Sequence, residues 1–427
     1  MKAVISNRIY LEATDEYKEV LSKELTYTIA SYNPKDPPIV IKNMARIKGG
    51  LVSIPVGRTD LIPEGYEIID KRIKALQDFP EFKLDLRPSQ QEVFDEVEDS
   101  CIINAWVSWG KTFTGLAIAG KLGQKTLVIV HTVPLRNQWA KEVEKVFEIT
   151  PGVIGSGKFK IDAPIVIGNT QSLYRNIPKV RKEFGTIILD EMHHVSSPTF
   201  SKVIDSNYAR YKIGLSGTIE RKDGKHVVFR DYFGSNIIKP PKENYMSPTI
   251  HIYHSDIRFM DGMKTPWANK VTALSYDEEY LHSVSMLAAY YAKIGHKVLV
   301  VSDRVQFLRT CTELAGDKAI CITGEIPHEE REPLMSKITS GEANILFGTQ
   351  AIFSEGISLD DLSCLILGTP VNNEPLLTQL IGRVIRQKEG KRDPIILDIH
   401  LKGNTARRQA SNRMGYYIKQ GYKIQEL

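Results

Sequence analysis

Short runs rich in valine and isoleucine, each closed by a turn residue and followed by a longer mixed segment, constrain this chain more than any other feature. The first series is TLVIVHT from Thr126, PIVIGNT from Pro164, TIILDEM from Thr186 and KIGLSGT from Lys212. The second is KVLVVSD from Lys297, AICIT from Ala319, ILFGTQ from Ile345, CLILGTP from Cys364 and PIILDIH from Pro394. A strand buried on both faces reads as a continuous apolar run, and helices between such strands make the sheet parallel. The two series therefore predict an α/β chain with two tandem doubly wound parallel-sheet domains. A length of 427 residues suits this division, because a single core stops growing at about 250 to 300 residues.

Residues 1–78 carry shorter alternating runs (KAVISNRIYLEA, PPIVIKNMARI, GLVSIPVG) and predict a small β-rich or α+β accessory domain. The expected boundaries are 1–78, 79–238 and 239–427. Lys239-Pro240-Pro241-Lys242 marks the stretch from Arg230 to Asp256 as a linker, since proline breaks helices and sheet ladders alike. HSDIRFMDGMKTPWANK, from His254 to Lys270, reads as a connecting loop, with a strand-separating element as the alternative. No apolar run approaches the roughly 18 residues a membrane span needs, and the first residues lack a basic-then-apolar leader. A soluble chain working in the cytoplasm is expected, as a monomer. The four cysteines lack any C-x-x-C spacing and read as buried thiols, not as a zinc site or disulfide framework. A net charge of +5 permits polyanion binding without requiring it.

Ala105-Trp106-Val107-Ser108-Trp109-Gly110-Lys111-Thr112 fits the phosphate-loop pattern [AG]-x-x-x-x-G-K-[ST]. It stands between a strand beginning at Cys101 and the helix-forming TGLAIAGKL, which is the context such a loop requires. There, backbone N–H groups and the helix amino terminus hold phosphates, Lys111 reaches the β and γ oxygens, and Thr112 binds Mg²⁺. Ser108 and Trp109 make the loop less permissive than glycines would, and Trp109 packs either on the nucleotide or on a neighbouring loop. Asp190-Glu191 closes the run beginning at Thr186. That pair can offer Asp190 to Mg²⁺ and Glu191 to the attacking water as general base; a solvated turn or helix cap is the competing reading. Arg383 and Arg386 stand at i, i+3 spacing, which predicts one helical face, and guanidinium groups stabilise charge on a transferring phosphoryl.

In order along the chain, LRPSQQEVF from Leu86, AWVSWGKT, VPLRNQW from Val133, NTQSL from Asn169, DEMH from Asp190 and LSGT from Leu215 resemble the successive motifs of superfamily 2 helicases. VVSDR from Val300, ITGE from Ile322, GTQAIFSEGISL from Gly348 and QLIGRVIR from Gln379 continue the resemblance, which covers residues from about 84 to 400. It implies two RecA-like domains and ATP with Mg²⁺ as cofactors. Arg87 and Gln90 would read adenine, Ala105, Gly110, Lys111 and Thr112 would hold phosphates, and Glu355 and Gly356 would lie near the nucleotide. Arg383 and Arg386 would be finger and γ-phosphate sensor with Gln379 beside them, reaching ATP on closure of the cleft. Thr132, Thr170, Ser172, Thr323 and Thr349 would track a nucleic-acid strand through its phosphates, although each alone reads as a cap or turn residue.

GTIERKDGK from Gly217, DEMHH and the amino-terminal ELTYTIASYN resemble the phage branch-migration helicases of the UvsW type, whose cores are related to XPB and RecG-like enzymes. That implies an ATP-dependent DNA helicase or translocase acting on branched or forked DNA in recombination, replication and repair. An RNA helicase, the motor of a restriction or nuclease assembly, and a nucleic-acid scaffold that binds ATP only as a switch remain the alternatives. His194 reads as a loop residue, since no metal-ligand spacing accompanies it. The tail GNTARRQASNRMGYYIKQGYKIQEL reads as a basic amphipathic helix docked through its tyrosines, its charges in solvent, with a nucleic-acid surface as the other reading.

Overall fold

A computed structural model of the chain describes residues 1–29, 37–106, 109–192, 198–217, 228–241, 246–262, 265–354, 359–371 and 373–427. Two compact units result, Met1–Lys242 and Glu243–Leu427.

In the first unit, the apolar runs form the centre of an eight-stranded sheet in the order Lys158–Lys160, Gly152–Gly155, Ile165–Asn169, Thr126–Val130, Thr186–Leu189, Tyr211–Ser216, Cys101–Asn104, Ile237–Ile238. All neighbours are parallel except the outermost pair, Lys158–Lys160 with Gly152–Gly155. Apolar clusters cover both faces. One holds Trp109, Leu116, Ile118, Trp139 and Phe147; the other holds Phe184, Met192, Phe200 and Phe233. Strands covered on both faces have no polar side to show, which is why these runs are continuous in sequence. Their parallel alignment puts the loops after Asn104, Val130, Asn169, Leu189 and Ser216 along one edge, where open α/β sheets bind ligands.

The amino-terminal residues build a five-stranded sheet with its own core of Ala3, Ile9, Leu11, Leu21, Leu25, Val52 and Ile54. The helix Asp15–Glu24 packs on it, capped by Thr14, whose side chain accepts from the Tyr17 N–H. This layer is fastened to the rest of the unit at Asp231, whose side chain is fully buried. That carboxylate accepts from Tyr27 Oη at 2.9 Å and Asn43 Nδ2 at 2.7 Å, and the Arg58 guanidinium lies 3.5 Å away. Gly57 N–H donates to the Asp231 carbonyl, and a Cβ at Gly57 would sit 2.3 Å from the Arg230 carbonyl oxygen. Gly57→Ala must therefore push the two layers apart, and an overpacked seam of this kind costs about 1–3 kcal/mol. Chemical denaturation should register that loss, and an alanine variant as stable as the parent would contradict the tight seam.

Between Lys71 and Lys83 the chain runs as a strap across the opposite edge of the central strands. Ile73 N–H donates to Tyr208 O at 2.7 Å, Lys125 N–H to Ala75 O at 2.7 Å, and Lys83 N–H to Val146 O at 2.9 Å.

The second unit is an all-parallel seven-stranded sheet ordered Ala319–Ile322, Ile345–Thr349, Val298–Ser302, Cys364–Leu367, Ile395–Lys402, Thr249–Arg258, Lys423–Glu426. The linker expected from Arg230 to Asp256 contains the boundary between the units, at Lys242 and Glu243, but its extent is corrected. Phe229–Phe233 is a helix with Phe229, Tyr232 and Phe233 buried, Ile237–Ile238 joins the first sheet, and Thr249–Arg258 is an inner strand of the second. The same strand, and the helix Trp267–Ser275, shorten the loop expected over His254 to Lys270.

The tail forms the helix Asn404–Gln420, docked through buried Tyr416 and Tyr417. Arg413 corrects the expectation of solvated charges: it is buried and grips buried Asp398 with two bonds, Nε at 2.8 Å and one terminal nitrogen at 2.7 Å. Cys101, Cys311 and Cys364 are buried and Cys321 half-buried. Burial pushes the Cys101 and Cys311 thiols up to about 12, which leaves them inert as nucleophiles. No helix among the described residues is long and apolar enough to cross a membrane.

Candidate functional site

The loop after Cys101–Asn104 leads into the helix Lys111–Leu122 through Gly110 in the left-handed region, at φ +100°. A side chain there would be strained by that backbone, and its Cβ would lie 2.5 Å from Gln90 Nε2. The Lys111 ammonium donates to the carbonyls of Ala105 at 3.1 Å and Trp106 at 3.3 Å, which holds it inside the loop. Thr112 follows in the first helical turn, half-buried.

Trp109 is buried, and the question of where it packs has an answer. Its indole N–H donates to Ser89 Oγ at 2.9 Å, and its carbonyl accepts from Gln90 Nε2 at 3.0 Å and from the Arg87 guanidinium. Gln90 Oε1 in turn accepts the Arg87 backbone N–H at 3.0 Å. The helix Pro88–Glu96 thus clamps the phosphate loop, and the tryptophan replaces glycine permissiveness with an anchored backbone. Val107 and Ser108 lie outside the described residues.

Two strands away from Cys101–Asn104, Thr186–Leu189 delivers Asp190 to the same edge. Its carboxylate is 5% exposed and accepts from Trp139 Nε1 at 2.7 Å and from the Glu191 backbone N–H at 2.9 Å. Burial first, and the charge of Glu191 second, push the carboxyl up to about 6, against the opposing pull of the Trp139 bond and the Lys111 ammonium. A buried carboxylate held so reluctantly ionised favours a cation beside it. Glu191, half-buried, stands at φ +51°, a conformation uncommon outside glycine and found where function fixes the backbone. His193 and His194 lie outside the described residues.

The raised Asp190 carboxyl gives a stability test. Between its ordinary 3.8 and about 6 the folded chain binds a proton that the unfolded chain releases. The neutral form therefore favours folding below that window, and that advantage is lost as the pH rises through 6. Asp190→Asn should be more stable than the parent at pH 8, and the difference should close on acidification below 6. Thermal melts at the two pH values decide it; equal gaps at both would contradict the assignment.

On the same edge, Thr132 caps the helix Val133–Phe147 by accepting from Leu135 N–H at 3.3 Å, and Thr170 Oγ1 donates to Val130 O at 3.0 Å. Ser172 lies half-buried in the helix Thr170–Arg175. Arg136, given no role by the sequence, is 8% exposed and binds Asn169 Oδ1 at 3.0 Å and Ser156 Oγ at 3.1 Å, tying these loops together.

In the second unit, Thr349 ends one strand and Thr323 follows its parallel neighbour, in which Ile322 pairs with Gly348. Both hydroxyls are buried, with no hydrogen-bond partner among the described residues. Folded chains leave few such groups. Gln379 and Arg383 lie on the helix Glu374–Val384. Arg386 does not, which corrects the single helical face: the helix ends at Val384, and Arg386 lies beyond it, paired with Asp360 at 2.7 Å. Arg383 is 8% exposed, its Nε donating to Phe353 O at 2.7 Å. Glu355 and Gly356 lie outside the described residues.

The family model described as the res subunit of type III restriction enzymes matches residues 83–221, and the helicase conserved C-terminal domain matches residues 281–388. A probable helicase of Escherichia phage T5, D10, is 43% identical over 99% of this chain and 95% of its own. A putative ATP-dependent RNA helicase of Acanthamoeba polyphaga mimivirus is 26% identical over 80% of this chain and 69% of its own. The ATP-dependent DNA helicase uvsW of Enterobacteria phage T4 is 25% identical over 70% of this chain and 64% of its own. Among solved structures, yeast Dbp5 bound to RNA and ADP BeF3 superposes with a TM-score of 0.56 at 12% identity, covering 80% of this chain and 89% of that one, a likeness of fold.

Proposed function

This chain belongs to the superfamily 2 helicases, and within that family we propose that it is an ATP- and Mg²⁺-dependent DNA translocase that remodels forks and four-way junctions. The observation that carries the motor reading is the joint placement, on one edge of one sheet, of a Lys111 ammonium in a glycine-entered loop and a buried, cation-seeking Asp190. ATP phosphates fit that loop, where backbone N–H groups and a helix amino terminus converge. Thr112 and Asp190 are hard oxygen donors suited to Mg²⁺, which would neutralise charge on the phosphates when bound. Glu191 orients the attacking water and accepts its proton, and Lys111, Arg383 and Arg386 stabilise the developing phosphoryl charge. Gln379 helps to place the γ-phosphate.

Thr132, Thr170, Ser172, Thr323 and Thr349 contact the tracked strand through phosphates, which gives grip without sequence preference. DNA and branch migration rest on the likeness to the T4 helicase and on the sequence around Gly217 to Lys225. The mimivirus relative's name favours RNA as the second reading. A synthetic four-way junction with labelled arms tests the finer claim. Conversion to duplex arms that requires hydrolysable ATP supports it; a junction left intact while an RNA duplex is unwound replaces it with the second reading.

A further inference from the structure

Trp139 is fully buried on the helix that Thr132 caps, and it lies 51 positions from Asp190 in the chain. Its indole N–H reaches the Asp190 carboxylate at 2.7 Å, the short distance of a charge-assisted bond. On its other side the ring meets the phosphate-loop helix at Gly115, where an added Cβ would come within 3.2 Å of Trp139 Cη2. Arg136, one turn earlier on the same helix, is itself fixed to Asn169 and Ser156. The indole is therefore held on one side by the helix that follows Lys111 and points its donor at one carboxylate oxygen, while Glu191 N–H holds the other.

We propose that Trp139 is a positioning residue for ATP hydrolysis: its N–H fixes the rotation of the Asp190 carboxylate, so that a free lone pair faces the loop. This rests on reading Asp190 as the Mg²⁺ carboxylate. Groups that orient a metal-binding carboxylate typically contribute tenfold to a hundredfold in metal affinity or activity. A tryptophan serving only to fill the core would be indifferent to what its N–H meets, provided it met an acceptor.

The test is Trp139→Phe in the full chain, which keeps an aromatic ring in the core and removes the N–H. Expected is a fall in kcat of roughly tenfold or more, with a higher Mg²⁺ concentration needed for half-maximal rate, while KM for ATP at saturating Mg²⁺ stays within about threefold of the parent. A variant that loses thermal stability but keeps the parental kcat and Mg²⁺ dependence per folded molecule overturns the proposal. Should the variant not fold, ¹⁵N-labelled indoles of the unmodified protein serve instead. The Trp139 resonance should move when Mg²⁺ and ADP are added, and a resonance that stays still overturns the proposal. Asp190→Asn separates the two levels: parental turnover in it would remove the metal-carboxylate reading itself, whereas an inactive Asp190→Asn beside a fully active Trp139→Phe removes only the role of Trp139.

Discussion

Lys111→Ala should abolish ATP hydrolysis and leave the first unit folded. Among the described residues the half-buried side chain donates to the carbonyls of Ala105 and Trp106, so its loss removes two hydrogen bonds, each worth about 1 kcal/mol. The chemical loss is large. A fixed cation aimed at developing phosphoryl charge is the kind of group whose removal costs roughly a thousandfold in turnover. A second effect adds to it: Lys111 is one of the groups that pull the Asp190 carboxyl down, so without it that carboxyl rises further and holds a cation less well. Circular dichroism and a thermal melt should match the parent while phosphate release falls to background. Parental turnover would remove the phosphate-loop assignment.

Arg413→Ala should destabilise the second unit by about 3–5 kcal/mol, because it leaves the Asp398 carboxylate buried without its guanidinium partner. Asp398 is 1% exposed and accepts both Arg413 bonds, with Tyr417 Oη at 3.1 Å. Burial works most strongly to raise its carboxyl, but the Arg413 charge and hydrogen bonds, joined by His400, together overcome it and hold the group well below the usual carboxylate range. The pair therefore stabilises throughout neutral pH, and its contribution fades only in strong acid, as the carboxylate takes up a proton. Replacing both charges with apolar groups, Arg413→Met with Asp398→Leu, should recover most of the loss, since neither ion then remains to be solvated. Equilibrium unfolding in urea measures both. A single Arg413→Ala variant within about 0.5 kcal/mol of the parent, the range of an ordinary surface change, would contradict the account.

Much of this architecture is written locally in the chain. TLVIVHT and its counterparts are continuous because helices cover both faces of each sheet, and AWVSWGKT is legible because a loop entering a helix needs its glycine and lysine adjacent. The stretch from Arg230 to Asp256 reads as a linker because Pro240-Pro241 outweighs the alternation further on, where Ile250 and Ile252 face one core and, past an irregularity in the ladder, Ile257 faces the other. Spacing alone puts Arg386 on a helical face with Arg383, whereas the helix stops at Val384 and the partner of Arg386, Asp360, is 26 residues away.

What spacing does not carry is the pairing of distant groups. Trp139 with Asp190, Arg413 with Asp398, and Tyr27, Asn43 and Arg58 with Asp231 are each joined by the fold across many residues. Asp398 leaves a trace in sequence as one carboxylate inside the apolar run IILDI, whereas nothing in the basic segment around Arg413 singles it out. Trp109 shows the same limit. As a departure from a small-residue loop it left two packings open, and Ser89 and Gln90, some twenty positions earlier, decide between them.

The most direct test of the central claim is steady-state ATP hydrolysis with single-stranded DNA, blunt duplex, a fork, a four-way junction and RNA at matched concentration. Multiple turnover is expected, stimulated most by the branched DNAs. Stimulation by RNA alone would contradict the DNA assignment, and no turnover on any of the five would contradict the motor itself.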